Sequence, residues 1–264
     1  YNAKILNGLM DVAKIYNYNI MFNTTSKGIS KMQDVIESII KSRVDGVILF
    51  NDNFTEDEMD VLNEYQIPMV VVGSKFEGKR DENVGNVYVD FEKLVYELVK
   101  DAFARGIDDI ALMEDKLNIS MMKQMKNGIE KAFAEEGKEF KNYLSYDDAY
   151  KTSYGYYQDY LKENKPHRLN IAFRDSQAIA MMNAALEAGY KIPEDLEIVS
   201  VLDSKYLNMM RPRISAYNIP DYDMGAIAMR LLQKMLISDS DNKERRDMEI
   251  RYTPIERDTT ESAQ

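Results

Sequence analysis

The chain has 264 residues, 45% of them hydrophobic, and a formal net charge of −11. This length suits about two modest domains with packed cores, while the negative charge should repel a phosphate backbone, so these residues are not expected to hold nucleic acid themselves. There is no cysteine, which excludes disulfides, thiolate zinc sites and cysteine nucleophiles and favours the reducing cytoplasm. No apolar run approaches the roughly 18 residues of a membrane-spanning helix.

Helices and strands alternate along the first part of the chain. Leu6 to Tyr16 carries apolar residues at three- and four-residue steps, which predicts a helix, and the short apolar run 20–22 predicts a buried strand. Thr55 and Glu58 form a capping box before another helix. Further strands are predicted at 44–50, 69–72 and 87–89, and further helices around 32–40 and 94–102.

A second series begins after Gly106, which is predicted to end a helix in a left-handed conformation. Gly189 is predicted to end a later helix. The predicted strands are 110–113, 169–173, 196–202, 214–218 and 249–255, and the predicted helices are 120–136, 153–163, 176–188 and one that begins at Asp221. Strands that read as continuous apolar runs and alternate with helices are typical of parallel sheets covered by helices on both faces. The predicted fold class is therefore α/β.

Six short motifs occur in the order in which one family has them. The most specific is the segment 184–203, which reads as a helix, a glycine turn, Pro193-Glu194-Asp195 and a strand that ends in Asp203. The other five are 43–48, 67–72, 212–215, 224–232 and the closing 257–259. Together they resemble the effector-sensing domain of the lactose-repressor/galactose-repressor (LacI/GalR) family of bacterial transcription regulators, over nearly the whole chain.

This resemblance implies two doubly wound parallel-sheet lobes joined by three crossover strands, the periplasmic-binding-protein-like type I fold, with a small-molecule cleft at the hinge. The expected N-terminal lobe is 1–105 plus 219–240, and the expected C-terminal lobe is 106–218 plus 241–264. Ligands in such sheets bind outside the carboxyl ends of the strands. The family's first strand and its helix-turn-helix headpiece would precede Tyr1 and are not among these residues.

Three candidate effector-binding residues follow predicted strands. The resemblance implies that Asp203 hydrogen-bonds an effector, and the alternative is an aspartate that caps a loop. Asp175 matches a family aspartate but could equally cap the next helix. Arg174 replaces the asparagine expected beside it, and its forked cation suits a carboxylate or phosphate; the alternative is a salt bridge to Asp175 or Asp203.

Three further candidates rest on the resemblance. Met125 stands where sugar-binding members carry an arginine, so the usual sugar clamp is missing unless Lys123 or Lys126 takes its place. Tyr150 stands where the family often places an aromatic ring that stacks on the effector, with a surface tyrosine as the alternative. Asp90 resembles a family aspartate near the hinge, although helix capping would also explain it.

No catalytic constellation is predicted. His167, the only histidine, lies in a polar turn and is expected to face solvent, so neither a Ser-His-Asp nor a Cys-His arrangement nor a histidine metal cluster can form. The chain is therefore expected to have no metal or cofactor and not to be an enzyme.

The resemblance implies effector sensing by a homodimer that alters operator binding through the headpiece. Arg174 adds a cation to the expected cleft, whereas Met125 replaces the arginine that sugar-binding members carry. The expected effector is therefore a phosphorylated sugar or another anion rather than a plain neutral sugar. A protein co-regulator is the competing partner. The alternative function is an exported sugar- or solute-binding protein with the same lobes.

Overall fold

The computed structural model describes residues 2–23, 31–51, 54–116, 119–146, 150–237 and 246–261. The chain forms two compact units, here called unit 1 and unit 2. Unit 1 comprises Tyr1–Val89 and Pro220–Ile250, and unit 2 comprises Asp90–Ile219 and Arg251–Gln264. The chain therefore passes between the units at 89/90, 219/220 and 250/251. No helix in the described ranges is both long and apolar enough to cross a membrane.

Unit 1 contains a parallel sheet whose described strands follow the order β1-β2-β3-β9. These strands are β1 (Val47–Phe50), β2 (Met69–Ser74), β3 (Val84–Val89) and β9 (Asp247–Glu249). Its helices are α1 (Asn2–Ile15), α2 (Lys31–Ser42), α3 (Glu56–Asn63) and α9 (Asp221–Ile237). The central strand β2 is buried along its whole length, as expected for a sheet covered on both faces.

Unit 2 contains a sheet of order β10-β8-β7-β6-β4-β5, parallel except for β10 against β8. Its strands are β4 (Ile110–Asp115), β5 (Tyr143–Tyr146), β6 (Leu169–Ala172), β7 (Glu197–Leu202), β8 (Ser215–Asn218) and β10 (Thr253–Ile255). Its helices are α4 (Phe91–Ala104), α5 (Ile119–Glu135), α6 (Tyr150–Glu163), α7 (Asp175–Glu187) and α8 (Lys205–Met209). The predicted α/β class with parallel sheets is confirmed.

Several local predictions are confirmed at the ends of helices. Gly106 and Gly189 have φ angles of +81° and +91°, the left-handed region that glycine adopts without steric cost. Thr55 caps α3, because its Oγ1 accepts a hydrogen bond of 3.2 Å from the backbone N–H of Glu58. These residues end or begin helices where the sequence predicted.

The strand predicted at 20–22 is wrong. This segment has no regular structure, and the Met21 and Phe22 side chains are 57% and 55% exposed. Only Ile20 packs against the apolar cluster between α1 and α9, so two of the three apolar residues gain no burial there. The sequence also did not predict β5, in which only Leu144 is described as buried, or the five-residue helix α8.

The lobe boundaries differ from those predicted. The first passage precedes α4 instead of following it, because α4 packs against α5 within unit 2. The single strand predicted at 249–255 is two short strands, β9 and β10, which belong to different sheets on either side of 250/251. The passage predicted at 240/241 falls in 238–245, outside the described residues.

Asp221, the first residue of α9, is a partly buried carboxylate whose Oδ1 has no hydrogen-bond partner in the described structure. Burial raises the pKa of this carboxyl to about 6, and Lys4 opposes the change. A pKa raised on folding contributes stability at low pH that is lost as pH rises from the ordinary value of 3.8 through 6. The ionised Asp221 therefore destabilises the folded chain at neutral pH.

We expect Asp221→Asn to increase the free energy of unfolding at pH 7.5 by about 1–2 kcal/mol, allowing for partial exposure, and to change it little at pH 4. Urea unfolding at the two pH values measures the difference. An equal effect at both pH values would show that the charge of Asp221 is not responsible.

Candidate functional site

The carboxyl ends of β4, β6 and β7 lie side by side at one edge of the unit 2 sheet, because the three strands are parallel neighbours. Asp115 ends β4, Arg174 follows β6, and Asp203 follows β7. Ligands of doubly wound sheets bind outside this edge. These three residues therefore define the candidate site, which we call the unit 2 strand-end site.

Asp203 is held by an arginine that the sequence did not single out. Arg257 donates from Nη1 to Oδ1 at 2.8 Å and from Nη2 to Oδ2 at 3.0 Å. The side chains of Arg257 and Asp203 are 10% and 25% exposed. A two-pronged pair of this kind fixes the plane of the carboxylate, and the remaining oxygen lone pairs can accept hydrogen bonds from a hydroxyl or amine.

Arg174 forms an ion pair with Asp115, a carboxylate that the sequence analysis did not propose as its partner. Its Nε lies 3.5 Å from Oδ2 of the buried Asp115, and its guanidinium lies 5.5 Å from the centre of the Phe173 ring. Among the described residues, the ion pair that the structure shows for Arg174 is the one with Asp115, not one with Asp175 or Asp203. Asp115 is an additional residue of the site, and its signal was the acidic end of an apolar strand.

Asp175 begins α7, one residue after the N-cap position, which Arg174 occupies. Its Oδ1 accepts a hydrogen bond of 2.7 Å from the backbone N–H of Ser176, and its charge stabilises the first helical turn. The buried Gln177 was not predicted; its Oε1 accepts from the backbone N–H of Phe173 at 3.2 Å. Gln177 thereby fixes the loop that carries Arg174.

Met125 and Tyr150 lie apart from these contacts. Met125 is fully buried in α5 and acts there as a packing residue, while Lys126 forms an ion pair of 2.7 Å with Glu114. The hydroxyl of Tyr150 accepts from Nδ2 of Asn183 at 3.0 Å. The structure thus places Tyr150 against α7, and the described residues show no contact between it and Asp203 or Arg174.

Asp90 is the N-cap of α4, and its Oδ1 accepts a hydrogen bond of 3.0 Å from the backbone N–H of Lys93. The alternative interpretation of this residue, helix capping, is confirmed. Asp90 is also the first residue of unit 2 after the passage at 89/90.

His167 is mostly buried, so the prediction that it faces solvent is wrong. Its Nδ1 lies 2.6 Å from Oδ1 of Asp109, and its Nε2 lies 2.9 Å from the hydroxyl of Tyr160. His167 precedes β6 and therefore lies at the opposite edge of the sheet from Arg174. It takes no part in the unit 2 strand-end site.

Comparison with known proteins shows the family of this chain. Residues 99–260, more than half of the chain, match the family described as the periplasmic binding protein-like domain. Catabolite control protein A of Staphylococcus epidermidis is 26% identical over 238 residues, which cover 89% of this chain and 71% of that protein.

Two solved structures have the same fold. The transcriptional regulator CelR in complex with cellobiose has a TM-score of 0.83 at 20% identity, covering 98% of this chain and 78% of that one. A sugar-binding transcriptional regulator of the LacI family from Escherichia coli, complexed with phosphate, has a TM-score of 0.83 at 17% identity, covering 98% and 92%. The chain thus belongs to the periplasmic binding protein-like domain family.

Proposed function

We propose that the chain senses a small-molecule effector at the unit 2 strand-end site and so controls DNA binding by a helix-turn-helix headpiece outside these residues. The observation that carries the proposal is the presence of two ion pairs, Asp203 with Arg257 and Arg174 with Asp115, at neighbouring strand ends. The two solved structures named above are of transcriptional regulators, which favours this function over an exported solute-binding protein and over an enzyme. A cytoplasmic location follows from this proposal.

The site offers two kinds of recognition. Asp203 can accept hydrogen bonds from hydroxyl groups, and Arg174, about one-third exposed, can attract an anionic group. A phosphorylated sugar presents both chemistries on one molecule. The two regulators of the same fold are in complex with cellobiose and with phosphate, a neutral sugar and an anion.

A thermal-shift panel tests the proposal with glucose, cellobiose, glucose 6-phosphate and citrate. A ligand that binds only the folded chain raises its melting temperature with dose, and we expect glucose 6-phosphate to raise it more than glucose. Arg174→Ala should weaken the binding of glucose 6-phosphate about tenfold and leave the binding of neutral sugars unchanged. If glucose or cellobiose binds tightly and Arg174→Ala has no effect, Arg174 is only the partner of Asp115. If no compound binds, a protein co-regulator becomes the preferred effector.

We further propose that the chain forms a homodimer through α1. This helix packs against α9 on one side, yet its residues Met10 and Ile15 remain 45% and 70% exposed, and Tyr16 directly after it is 42% exposed. Large apolar side chains that stay exposed can serve as anchors of a self-association surface.

Sedimentation equilibrium at micromolar concentration should show a dimer. Ile15→Asp should shift the equilibrium to monomer, since it places a charge in the apolar contact. Val61→Asp on α3, where the native side chain is 38% exposed, is the matched control and should leave the dimer intact. A monomer in all three samples would rule out this surface.

A further inference from the structure

The segment that follows β10 is fastened to the unit 2 sheet by side-chain hydrogen bonds. The backbone N–H of Arg257 donates to Oγ of Ser215 at 2.9 Å, and the backbone N–H of Ser215 donates to Oγ1 of Thr259 at 2.9 Å. The hydroxyl of Thr259 donates in turn to the carbonyl of Ile198 at 2.7 Å. Ser215 and Thr259 are buried, so the backbone of Arg257 has a fixed position.

The guanidinium of Arg257 joins two places on the sheet. Besides its two hydrogen bonds to Asp203, its Nη1 donates to the carbonyl of Ile214 at 2.8 Å. Asp203 follows β7, and Ile214 immediately precedes β8. With only 10% of its side chain exposed, Arg257 makes these hydrogen bonds largely away from water, where charge-assisted hydrogen bonds are stronger.

β8, which follows Ile214, and β10, which precedes Arg257, both lie next to passages between the units. β8 ends at Asn218, next to the passage at 219/220, and β10 begins at Thr253, shortly after the passage at 250/251. The two strands pair antiparallel, with Thr253 opposite Asn218. Arg257 therefore connects a candidate ligand-binding carboxylate with two of the segments through which the chain passes between units.

We propose that Arg257 is a positioning residue that orients Asp203 and transmits the state of this carboxylate to β8 and β10. The proposal rests on the proposed function, because it takes Asp203 as a ligand contact. A donor group on the ligand shares the Asp203 carboxylate with Arg257 and weakens the arginine's hydrogen bonds. A ligand shifts a conformational equilibrium only through such a difference in contacts between states.

Hydrogen exchange of the ligand-free chain, followed by mass spectrometry, tests the connection directly. Arg257→Lys keeps the charge but loses the two-pronged geometry, and Asp203→Asn weakens the same pair from the other side. Charge-assisted hydrogen bonds of about 1.5–3 kcal/mol correspond to roughly a tenfold or greater change in local opening. We therefore expect amide exchange in β8 and β10 to accelerate about tenfold in each variant, with β4 and α5 unchanged.

Arg213→Lys is the matched control. Arg213 forms an equally two-pronged pair with Asp258, at 2.9 Å and 3.1 Å, but both side chains are more than 40% exposed and neither contacts Asp203. This variant should leave exchange in β8 and β10 near the wild-type rate. The double variant Asp203→Asn/Arg257→Lys should exchange no faster than the faster single variant, because both changes remove one interaction.

The proposal is overturned if Arg257→Lys matches Arg213→Lys, if exchange accelerates uniformly through the sheet, or if the two single changes add in the double variant. Because no ligand is present, such a result leaves the proposed function standing. Conversely, if no compound of the thermal-shift panel binds, the effect of Arg257 on amide exchange in β8 and β10 is still tested by the variants.

Discussion

Glu197→Ala is expected to lower the free energy of unfolding by about 3–5 kcal/mol. Glu197 begins β7 and is fully buried, and its carboxylate accepts from both Nη atoms of Arg105 at 2.9 Å and 3.0 Å. A second guanidinium, that of Arg168, lies 3.5 Å away. Removing the carboxylate leaves Arg105 and Arg168 only their ion pairs with the exposed Asp101 and Glu261, both at 3.4 Å. Breaking a buried pair in this way costs more than the pair contributes when it is intact.

Urea unfolding compares this variant with Asp159→Ala, which removes an exposed ion pair to Lys162 at 3.1 Å. Exposed pairs contribute little, because water and salt screen them. We expect almost no change for Asp159→Ala. A similarly small change for Glu197→Ala would show that water reaches the buried cluster.

Gly225→Ala is expected to destabilise the chain by about 2–3 kcal/mol through overpacking. A Cβ at Gly225 would lie 1.8 Å from the carbonyl oxygen of Ile5, and one at Gly8 would lie 1.9 Å from the carbonyl oxygen of Tyr222. The two glycines let α1 and α9 approach backbone to backbone. Since the obstructing atoms belong to a helix backbone, no side-chain rotation can relieve the clash.

Gly155→Ala provides the control within another helix. A Cβ at Gly155 in α6 meets no atom within 4 Å, so alanine should stabilise the chain by about 0.5–1 kcal/mol through its higher helix propensity. Thermal or urea unfolding separates the two outcomes by their sign. If both variants lose stability, the cost of Gly225→Ala comes from replacing a glycine within a helix and not from the contact with α1.

Much of the fold could be predicted because its signals are local. Apolar periodicity, the cap at Thr55 and the left-handed Gly106 depend on neighbours along the chain, and each has the predicted structure. The passage at 89/90 has no such signal. There a buried strand is followed at once by the cap residue Asp90, the same pattern that joins a strand to a helix within one lobe.

In the candidate site, too, the residues with a local sequence signal could be predicted and the residues they contact could not. Asp203 and Arg174 could be proposed because each follows an apolar strand, and strand ends carry ligand sites in such folds. Their partners could not be identified. Arg257 is 54 residues from Asp203 in the sequence, and Asp115 pairs with Arg174 because β4 and β6 are neighbours in the sheet. Strand order, which a single sequence does not display, determines both pairs.

Calorimetric titration of Asp203→Asn tests the central claim most directly, with the panel compound that gives the largest thermal shift as ligand. The account predicts that this substitution weakens binding about tenfold or more, because it removes a charged hydrogen-bond acceptor from the ligand. Asp258→Asn, which alters the neighbouring pair with Arg213, should retain wild-type affinity. Wild-type affinity in Asp203→Asn would contradict the assignment of the effector site to this edge of the unit 2 sheet.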